Sequence, residues 1–519
     1  MTAPLPAIAL PSIVARMDLG RHILAASEPA ATALLLAILG LLVASSVLFS
    51  KTADRLGIPV VLLFLVLGML GGSEGIGGVH FDDYRLAVRI GTMALVLILF
   101  DGGLNTSVRA IRRVVWPATV LATLGVVATA GLVAVFSRLL GLTWPEALLL
   151  GAVVSSTDAA AVFAVLRGGR LRLQPRVGQT VEVESCINDP MAVILTTALI
   201  QALSADSVPP LPLAVLVPLQ LLVGLGVGLL IGFGGLWILR RVRLSTAGLY
   251  PALTLSLAFA SFGLATLALG SGFLSVYATA VVLGASSLPN RSSLARVHDA
   301  LAWLSQISMF LMLGLLVFPS QLRPIAGIGL AVALFLAFVA RPLAVGLCLW
   351  PFRYPLRETA FIGWIGLRGA VPIILATFPL LADVQGSHRI FNIVFFIVVV
   401  SALVPGATIR WLTRRFAFNT PEKPAPAAVL EINSIGPLGG RLSSFFIEPS
   451  VAVCGARLSE VEVPPQASVV LVIRGQRLIA PRGNTVIEAG DHVYIFFQPE
   501  DRPFIELLFG REEEVGGQG

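Results

Sequence analysis

The chain has 519 residues, of which 56% are hydrophobic and 13% charged, and its mean hydropathy is +0.90. That composition excludes an ordinary soluble globular protein. A formal net charge of +7 does not make a nucleic-acid surface, because the arginines sit mostly in short loops between apolar runs. Cys186, Cys348 and Cys454 are scattered without metal-ligand spacing, which argues against both a disulfide framework and a zinc site.

Residues 1–30 form an N-terminal segment that lacks a compact apolar core with a small-residue cleavage site, so no cleaved signal peptide is expected. From residue 31 onward apolar runs recur, each long enough, at roughly 18 residues or more, to cross a hydrocarbon core of about 30 Å. Thirteen spans are expected, over 31–50, 58–73, 86–105, 115–137, 144–166, 177–203, 211–239, 248–267, 270–288, 300–318, 325–350, 358–380 and 388–410.

The loops test this count independently. Basic residues fall on every second connection: Lys51 and Arg55; Arg109, Arg112 and Arg113; Arg167, Arg170, Arg172 and Arg176; Arg240, Arg241 and Arg243; Arg291 and Arg296; Arg353 and Arg357; Arg410, Arg414 and Arg415. Between them lie GGSEGIGGVHFDD, SADSVPP and LADVQGS, which are acidic or nearly uncharged. By the positive-inside rule the basic side is cytoplasmic. An odd number of spans then places the N-terminus outside and the C-terminus inside. Arg16, Arg21, Arg323 and Arg389 run against the pattern.

Charge inside a span costs a few kcal/mol even on insertion scales, so it is functional or paired by default. Asp101, in ILFDGGLNTS, closes span 3 on the cytoplasmic side, where an access funnel and a simple helix-end role are both open. Span 5 carries VVSSTDAAAVF, with Ser155, Ser156, Thr157 and Asp158 in mid-span. These side chains offer the backbone alternatives to helical hydrogen bonding, so local unwinding is expected. Unwound carbonyls can ligate a cation, and Asp158 can neutralise exposed half-helix N-termini. A hydroxyl-rich helix contact is the competing account, but it does not explain Asp158.

Span 6 carries VEVESCINDPMAVIL. Ser185 and Asp189 lie one turn apart and share a face, as do Glu184 and Asn188. In so poorly solvated a place a carboxylate needs a partner, and a proton and a dehydrated alkali cation compete for the position. That competition is the core of an exchange mechanism. The alternative is that Asn188-Asp189-Pro190 only caps or kinks a helix.

Arg341, in FVARPLAV of span 11, needs a carboxylate, and Glu184 is the natural candidate; snorkelling to the cytoplasmic surface is the alternative. In span 12, GWIGLRGAVPIILAT surrounds Arg368 with Gly366, Gly369 and Pro372, the composition of a broken helix. Interrupted segments in corresponding places of two inverted halves point to a transporter binding site. The histidines, His22, His80, His298, His388 and His492, lie in loops, near span ends or in the tail, and no special role is expected of them.

After FNTPEKPAPA, in a linker over 416–429, the chemistry changes. SVVLVIR and HVYIFFQ read as strands, GQ and PRGN as turns, and PEDRPFIELLFG as a short amphipathic helix. Residues 430–510 are therefore expected as a small α+β unit, with 511–519 as a frayed tail. The fold class expected is an all-α polytopic membrane protein with about 13 transmembrane helices in two inverted repeats with broken crossing helices, plus a small cytoplasmic α+β domain.

SSTDAAAVF, ESCINDPMAV, ARPLAV and GLRGAVP in successive spans resemble the NhaP branch of monovalent cation/proton antiporters, and Pro190 after the Asn-Asp pair is similar to the potassium/proton members. The resemblance covers residues 28–415, within a transmembrane domain expected over 31–415. The tail sequence VVLVIRGQRLIAPRGNTVIEAGDHVYIF resembles the RCK_C (TrkA-C) domain of potassium-conductance regulators. The resemblance implies that Asp189 is the exchanging carboxylate, binding K⁺ or Na⁺ in alternation with H⁺. Ser185 and the Thr157 backbone complete the ion shell, with Asn188 in support. Asp158 stabilises the crossing of spans 5 and 12, Arg368 compensates charge there, and Glu184 pairs with Arg341.

The resemblance further implies a homodimer in the bacterial cytoplasmic membrane, an elevator-like motion and electroneutral exchange, since Asn188 replaces the first of two aspartates found in electrogenic relatives. Cys186 departs from the small residue, often Gly, usual at its position. No cofactor is expected, and no partner beyond lipid, the transported ions and a nucleotide or cyclic dinucleotide in the tail. With no P-loop and no covalent chemistry, the chain is not expected to be an enzyme. A potassium channel would carry a filter such as TVGYG, which is absent. An ion-sensing receptor coupled to the tail remains the other alternative, and ion flux separates the two.

Overall fold

Backbone out of water has to satisfy its own N–H and C=O groups, and most of this chain does so with helices. The computed structural model describes residues 33, 36, 37, 40–49, 60–79, 81, 83–106, 108–168, 171–203, 213–242, 244, 246, 248–286, 288, 291–420, 440–475, 477–510 and 512. Expectations for the N-terminal segment, Lys51, Arg55, Arg170, Arg243, His22, His80, SADSVPP, the linker from 421 to 429 and the tail from 513 lie outside the described residues. So do those for the side chains of Arg109, Arg167 and Arg172. The chain divides into two compact units. One comprises Met1–Gly235, Leu255–Ala285 and Ala300–Thr420; the other comprises Leu236–Thr254, Ser286–Asp299 and Pro421–Gly519.

In chain order the helices begin with α1 (Gly40–Phe49), α2 (Val60–Gly71) and α3 (Tyr84–Asn105). α4 runs Val108–Val120, passes a π-turn at Leu121–Gly125 and continues over Val126–Leu139. α5 (Trp144–Val153) and α6 (Ala159–Gly168) share one expected span with an interruption between them. α7 (Pro175–Leu203), α8 (Leu213–Arg241), α9 (Leu249–Leu267), α10 (Gly272–Gly284) and α11 (Arg291–Leu315) follow. α12 runs Ala326–Phe335, through a π-turn at Leu336–Ala340, into Arg341–Leu349. α13 (Leu356–Trp364) and α14 (Ala370–Leu381) form a second interrupted pair. α15 runs Ser387–Ser401, through a π-turn at Ala402–Gly406, into Ala407–Arg415.

Among the described residues, seven of these helices are long and apolar enough to cross a membrane, and shorter apolar helices accompany them. The architecture is thus all-α and polytopic, as the sequence leads one to expect. α7 runs unbroken through Pro190, so the Asn-Asp-Pro motif does not end the helix. α5 starts on a capping box, with Thr143 Oγ1 accepting from the Glu146 N–H at 3.4 Å and Glu146 Oε2 accepting from the Thr143 N–H at 2.8 Å. Close approach of α5 to α4 depends on Gly151: a Cβ there would stand 2.2 Å from Ala130 O.

Two features depart from expectation. Residues 416–420, expected as linker, pack back onto the helices: Phe418 is buried against Phe361, with ring centroids 4.6 Å apart. β2 (Asn419–Thr420) pairs antiparallel with β1 (Arg172–Leu173). Phe418 anchors this turn because leaving its ring in water would forfeit roughly 1.5–3 kcal/mol. His298 is not a loop residue but a buried side chain of α11, with Nε2 2.8 Å from Thr254 Oγ1.

The tail forms a four-stranded antiparallel sheet from β3 (Arg441–Phe446), β4 (Ser468–Arg474), β5 (Arg477–Ile479) and β6 (Asp491–Phe497) in the order β3-β6-β4-β5, followed by α16 (Arg502–Phe509). Its core is Phe445, Val472, Val493, Ile495, Phe497 and Phe509. Asp491, fully buried, is met by Arg474 Nε and Nη2 at 2.8 Å each. The α+β character read from the sequence holds; β3 was not anticipated.

Candidate ion-binding site

The two interrupted helices meet. Ser155 Oγ turns back onto Ala152 O at 2.6 Å as α5 ends, and Asp158 Oδ1 accepts from the Ala161 N–H at 2.9 Å to cap α6. Across the break, the Asp158 N–H donates to Leu367 O at 2.8 Å, joining the two non-helical stretches directly. Arg368 Nη1 donates to Ser155 O at 2.9 Å and to Ser156 O, which meets carbonyls released at the C-terminal end of α5. The Arg368 backbone N–H donates to Ser401 Oγ of α15 at 3.0 Å. A cation therefore sits at a half-helix C-terminus and a carboxylate at half-helix N-termini, the arrangement the peptide dipoles favour.

Asp158 also lies against Gly369, which begins α14: a Cβ at that position would stand 1.7 Å from Asp158 Oδ2. Gly369→Ala is accordingly expected to displace the carboxylate, at an overpacking cost of about 1–3 kcal/mol. A lowered unfolding temperature in detergent together with slowed ion flux in proteoliposomes checks this.

α7 brings its polar face to the same crossing. Ser185 Oγ donates to Thr157 O at 2.8 Å and accepts from the Ala159 N–H at 3.0 Å, bridging the gap between α5 and α6. Asn188 Nδ2 donates to Thr157 Oγ1 at 2.6 Å and to Glu184 Oε1 at 3.3 Å. Glu184 is paired with Arg341, whose Nη2 stands 2.8 Å from both carboxylate oxygens, and both side chains are buried. Arg341 points inward to this partner and does not snorkel. Beside the arginines a small crevice is lined by Leu336 and Pro405 of the π-turns in α12 and α15, by Gly366 and by Ser401.

Asp189 is buried within electrostatic reach of Asp158, Glu184 and Arg368. Its Oδ1 and the Oδ1 of Asn188 are buried acceptors with no hydrogen-bond partner among the described residues. Buried acceptors are nearly always satisfied, so two in adjacent residues mark a place where a ligand completes them. Among the described residues the charges around the crossing are three carboxylates (Asp158, Glu184, Asp189) and two guanidiniums (Arg341, Arg368), 2 − 3 = −1, so one monovalent positive charge balances the group. Asp101 lies in the last turns of α3, where its Oδ1 accepts from Asn105 Nδ2 at 3.2 Å. Ser401 was not anticipated; a lone serine in an apolar run carries no signal beyond its polarity.

A pair of broken helices crossing in a membrane domain, with a buried carboxylate beside the crossing, defines an ion exchanger of the broken-helix type. Residues 31–415 match the transmembrane region of the sodium/hydrogen exchanger family, and the chain belongs to that family. Residues 442–508 match the TrkA-C domain. The chain is similar to the K(+)/H(+) antiporter NhaP2 of Shewanella sp. (strain ANA-3), 40% identical over 480 residues, which is 92% of this chain and 83% of the relative. It is equally similar to the K(+)/H(+) antiporter NhaP of Alkalimonas amylolytica, 40% identical over 475 residues, with 91% of this chain and 82% of the relative covered. Among solved structures, the sodium proton antiporter MjNhaP1 from Methanocaldococcus jannaschii at pH 8 shares the fold, with a TM-score of 0.65 and 23% identity over 74% of this chain and 99% of that one.

Proposed function

We propose that this protein exchanges K⁺, with Na⁺ as the alternative cargo, for H⁺ across the bacterial cytoplasmic membrane, one ion for one proton, at Asp189. The observation that carries the reading is the pair of unpartnered buried oxygens on Asp189 and Asn188 within a group of residual charge −1. Either a proton or one alkali cation neutralises that group, and the two exclude each other. Ser185 and Thr157 hold the break in α5–α6 against α7 and supply oxygens near the ion. Asp158 and Arg368 compensate the half-helix ends, and Glu184 with Arg341 fixes α7 against α12. The 40% identity to potassium/proton antiporters over nine-tenths of the chain favours K⁺ as the cargo.

Alternating access would carry the crossing between the two sides in a homodimer of thirteen-span subunits, with the N-terminus outside and the C-terminal domain cytoplasmic. The TrkA-C match supports a regulatory role for the tail, for which a nucleotide or cyclic dinucleotide is the proposed ligand. Proteoliposomes holding a pH dye test the exchange: a K⁺ gradient is expected to drive alkalinisation, and a channel or receptor would give none that depends on counter-movement of protons. Because each cycle carries no net charge, the rate at a fixed K⁺ gradient is expected to be unchanged when the membrane potential is set to different values with gradients of a permeant anion such as thiocyanate. A transport current that reverses with potential would refute the one-for-one stoichiometry.

A further inference from the structure

Glu182 takes no part in the ion shell, yet it lies on the same stripe of α7 as Cys186 and Asp189, at successive spacings of four and three residues. Along that stripe Glu182 and Cys186 are half-buried and Asp189 is buried, so burial increases toward Asp189. Glu184, two residues on, is neutralised by Arg341; among the described residues no arginine or lysine forms an ion pair with Glu182. Its neighbours are hydroxyls. From α3, Thr106 Oγ1 stands 3.0 Å from Glu182 Oε1 and 2.7 Å from Gly102 O. A hydroxyl has one proton to donate. The shorter contact is the bond threonine makes to the carbonyl four residues back in a helix. Thr106 Oγ1 also donates toward Glu182 Oε1, so its one proton is shared between the two acceptors.

From α10, the Tyr277 hydroxyl is buried beside Thr106 and Cys186 and lies within electrostatic reach of Glu182. From α4, Ile111, Val114 and Ala118 pack on Val183 and Ile187, so that flank of α7 is apolar. The carboxyl thus faces Thr106, Tyr277 and Cys186, with Asp189 as the next acidic group along its stripe.

We infer that Glu182, with Thr106 and Tyr277, is a proton station through which the exchanged proton reaches and leaves Asp189. The reading rests on Asp189 being the exchanging carboxylate. Seven residues of helix separate the two carboxyls by about 10 Å, beyond direct transfer, so water carries the proton between them. Glu182 gives its proton to that water, the water passes one to the Asp189 carboxylate, and Glu182 is reprotonated from the aqueous side. Nothing else is consumed. The cation needs no such station, because a carboxylate with hydroxyl neighbours offers it too few oxygens.

The test uses the full chain in proteoliposomes and two flux modes: K⁺/H⁺ exchange by pH dye, and K⁺/Rb⁺ exchange by radioactive rubidium, which moves no proton. Glu182→Gln is expected to slow K⁺/H⁺ exchange about tenfold or more while leaving K⁺/Rb⁺ exchange at its original rate, the separation expected of a group that handles only the proton. Glu182→Asp keeps a carboxyl and is expected to retain about half of the K⁺/H⁺ rate or more. Equal slowing of both modes in both variants, or no slowing of either, overturns the inference. Failure of the antiport reading itself is distinct: the unmodified protein would then show no K⁺-driven proton flux.

Discussion

Asp189→Asn is expected to abolish K⁺-driven proton movement while leaving the protein folded. The substitution keeps the shape of the side chain and removes its charge, so the group around the crossing goes from −1 to 0 without any ion. In that state the site resembles its own protonated form, and a cation entering it would create a buried net charge with nothing to balance it. Helix α7, the Ser185 bridge to Thr157 and the Glu184–Arg341 pair do not depend on the Asp189 charge, so the fold stays. A thermal shift in detergent separates the two effects. A hundredfold excess of K⁺ over its Kd adds about 2.7 kcal/mol to a protein that binds it only when folded, and nothing to one that does not. The unmodified protein should therefore gain stability on adding K⁺, and Asp189→Asn should not. Retained alkalinisation in the variant would remove Asp189 from the centre of the mechanism.

How far the sequence discloses this site depends on whether a contact leaves a trace in local composition. The breaks do: SSTD and GLRG set hydroxyls, glycine and charge inside apolar runs, and the helices part at Val154–Asp158 and Ile365–Gly369. The Glu184–Arg341 pair is legible too, because two opposite charges in neighbouring apolar spans need each other. The π-turns of α4, α12 and α15 are not, since one extra residue per turn alters hydrogen bonding without altering residue type. Thr106 and Tyr277 are equally silent, because a lone hydroxyl in an apolar span has many uses and only the packing of α3 and α10 brings both to Glu182. β3 escapes because RLSSFF is an edge strand with its polar residues turned to buried partners, Ser443 donating to Glu512 Oε1 at 2.6 Å. Helix α15 ends at Arg415, but the packing of residues 416–420 is hidden because proline-rich sequence follows Phe418 closely and masks the short β2 pairing.

Breaking the Glu184–Arg341 pair is the largest stability effect expected. Arg341 Nη2 stands 2.8 Å from both oxygens of Glu184, and the side chains are 3% and 1% exposed. Removing one member of such a pair leaves a desolvated charge alone, at a cost of about 3–5 kcal/mol, whereas replacing both members with uncharged groups of similar volume leaves no lone charge and costs far less. Glu184→Gln and Arg341→Met are each expected to lower the unfolding temperature in detergent by several degrees, and the double variant to recover most of it. The strong non-additivity is the signature of a direct pair. Asn188 complicates the single variant in a useful way: its Nδ2 also reaches Glu184 Oε1 at 3.3 Å, so Gln at 184 loosens the amide that faces the ion. Transport in Glu184→Gln should thus fall along with stability, and return in the double variant only if Glu184 is a strut and not a ligand. Exchange that stays lost in a double variant whose stability has recovered would move Glu184 into the ion shell and change the charge count from which one-for-one exchange is argued.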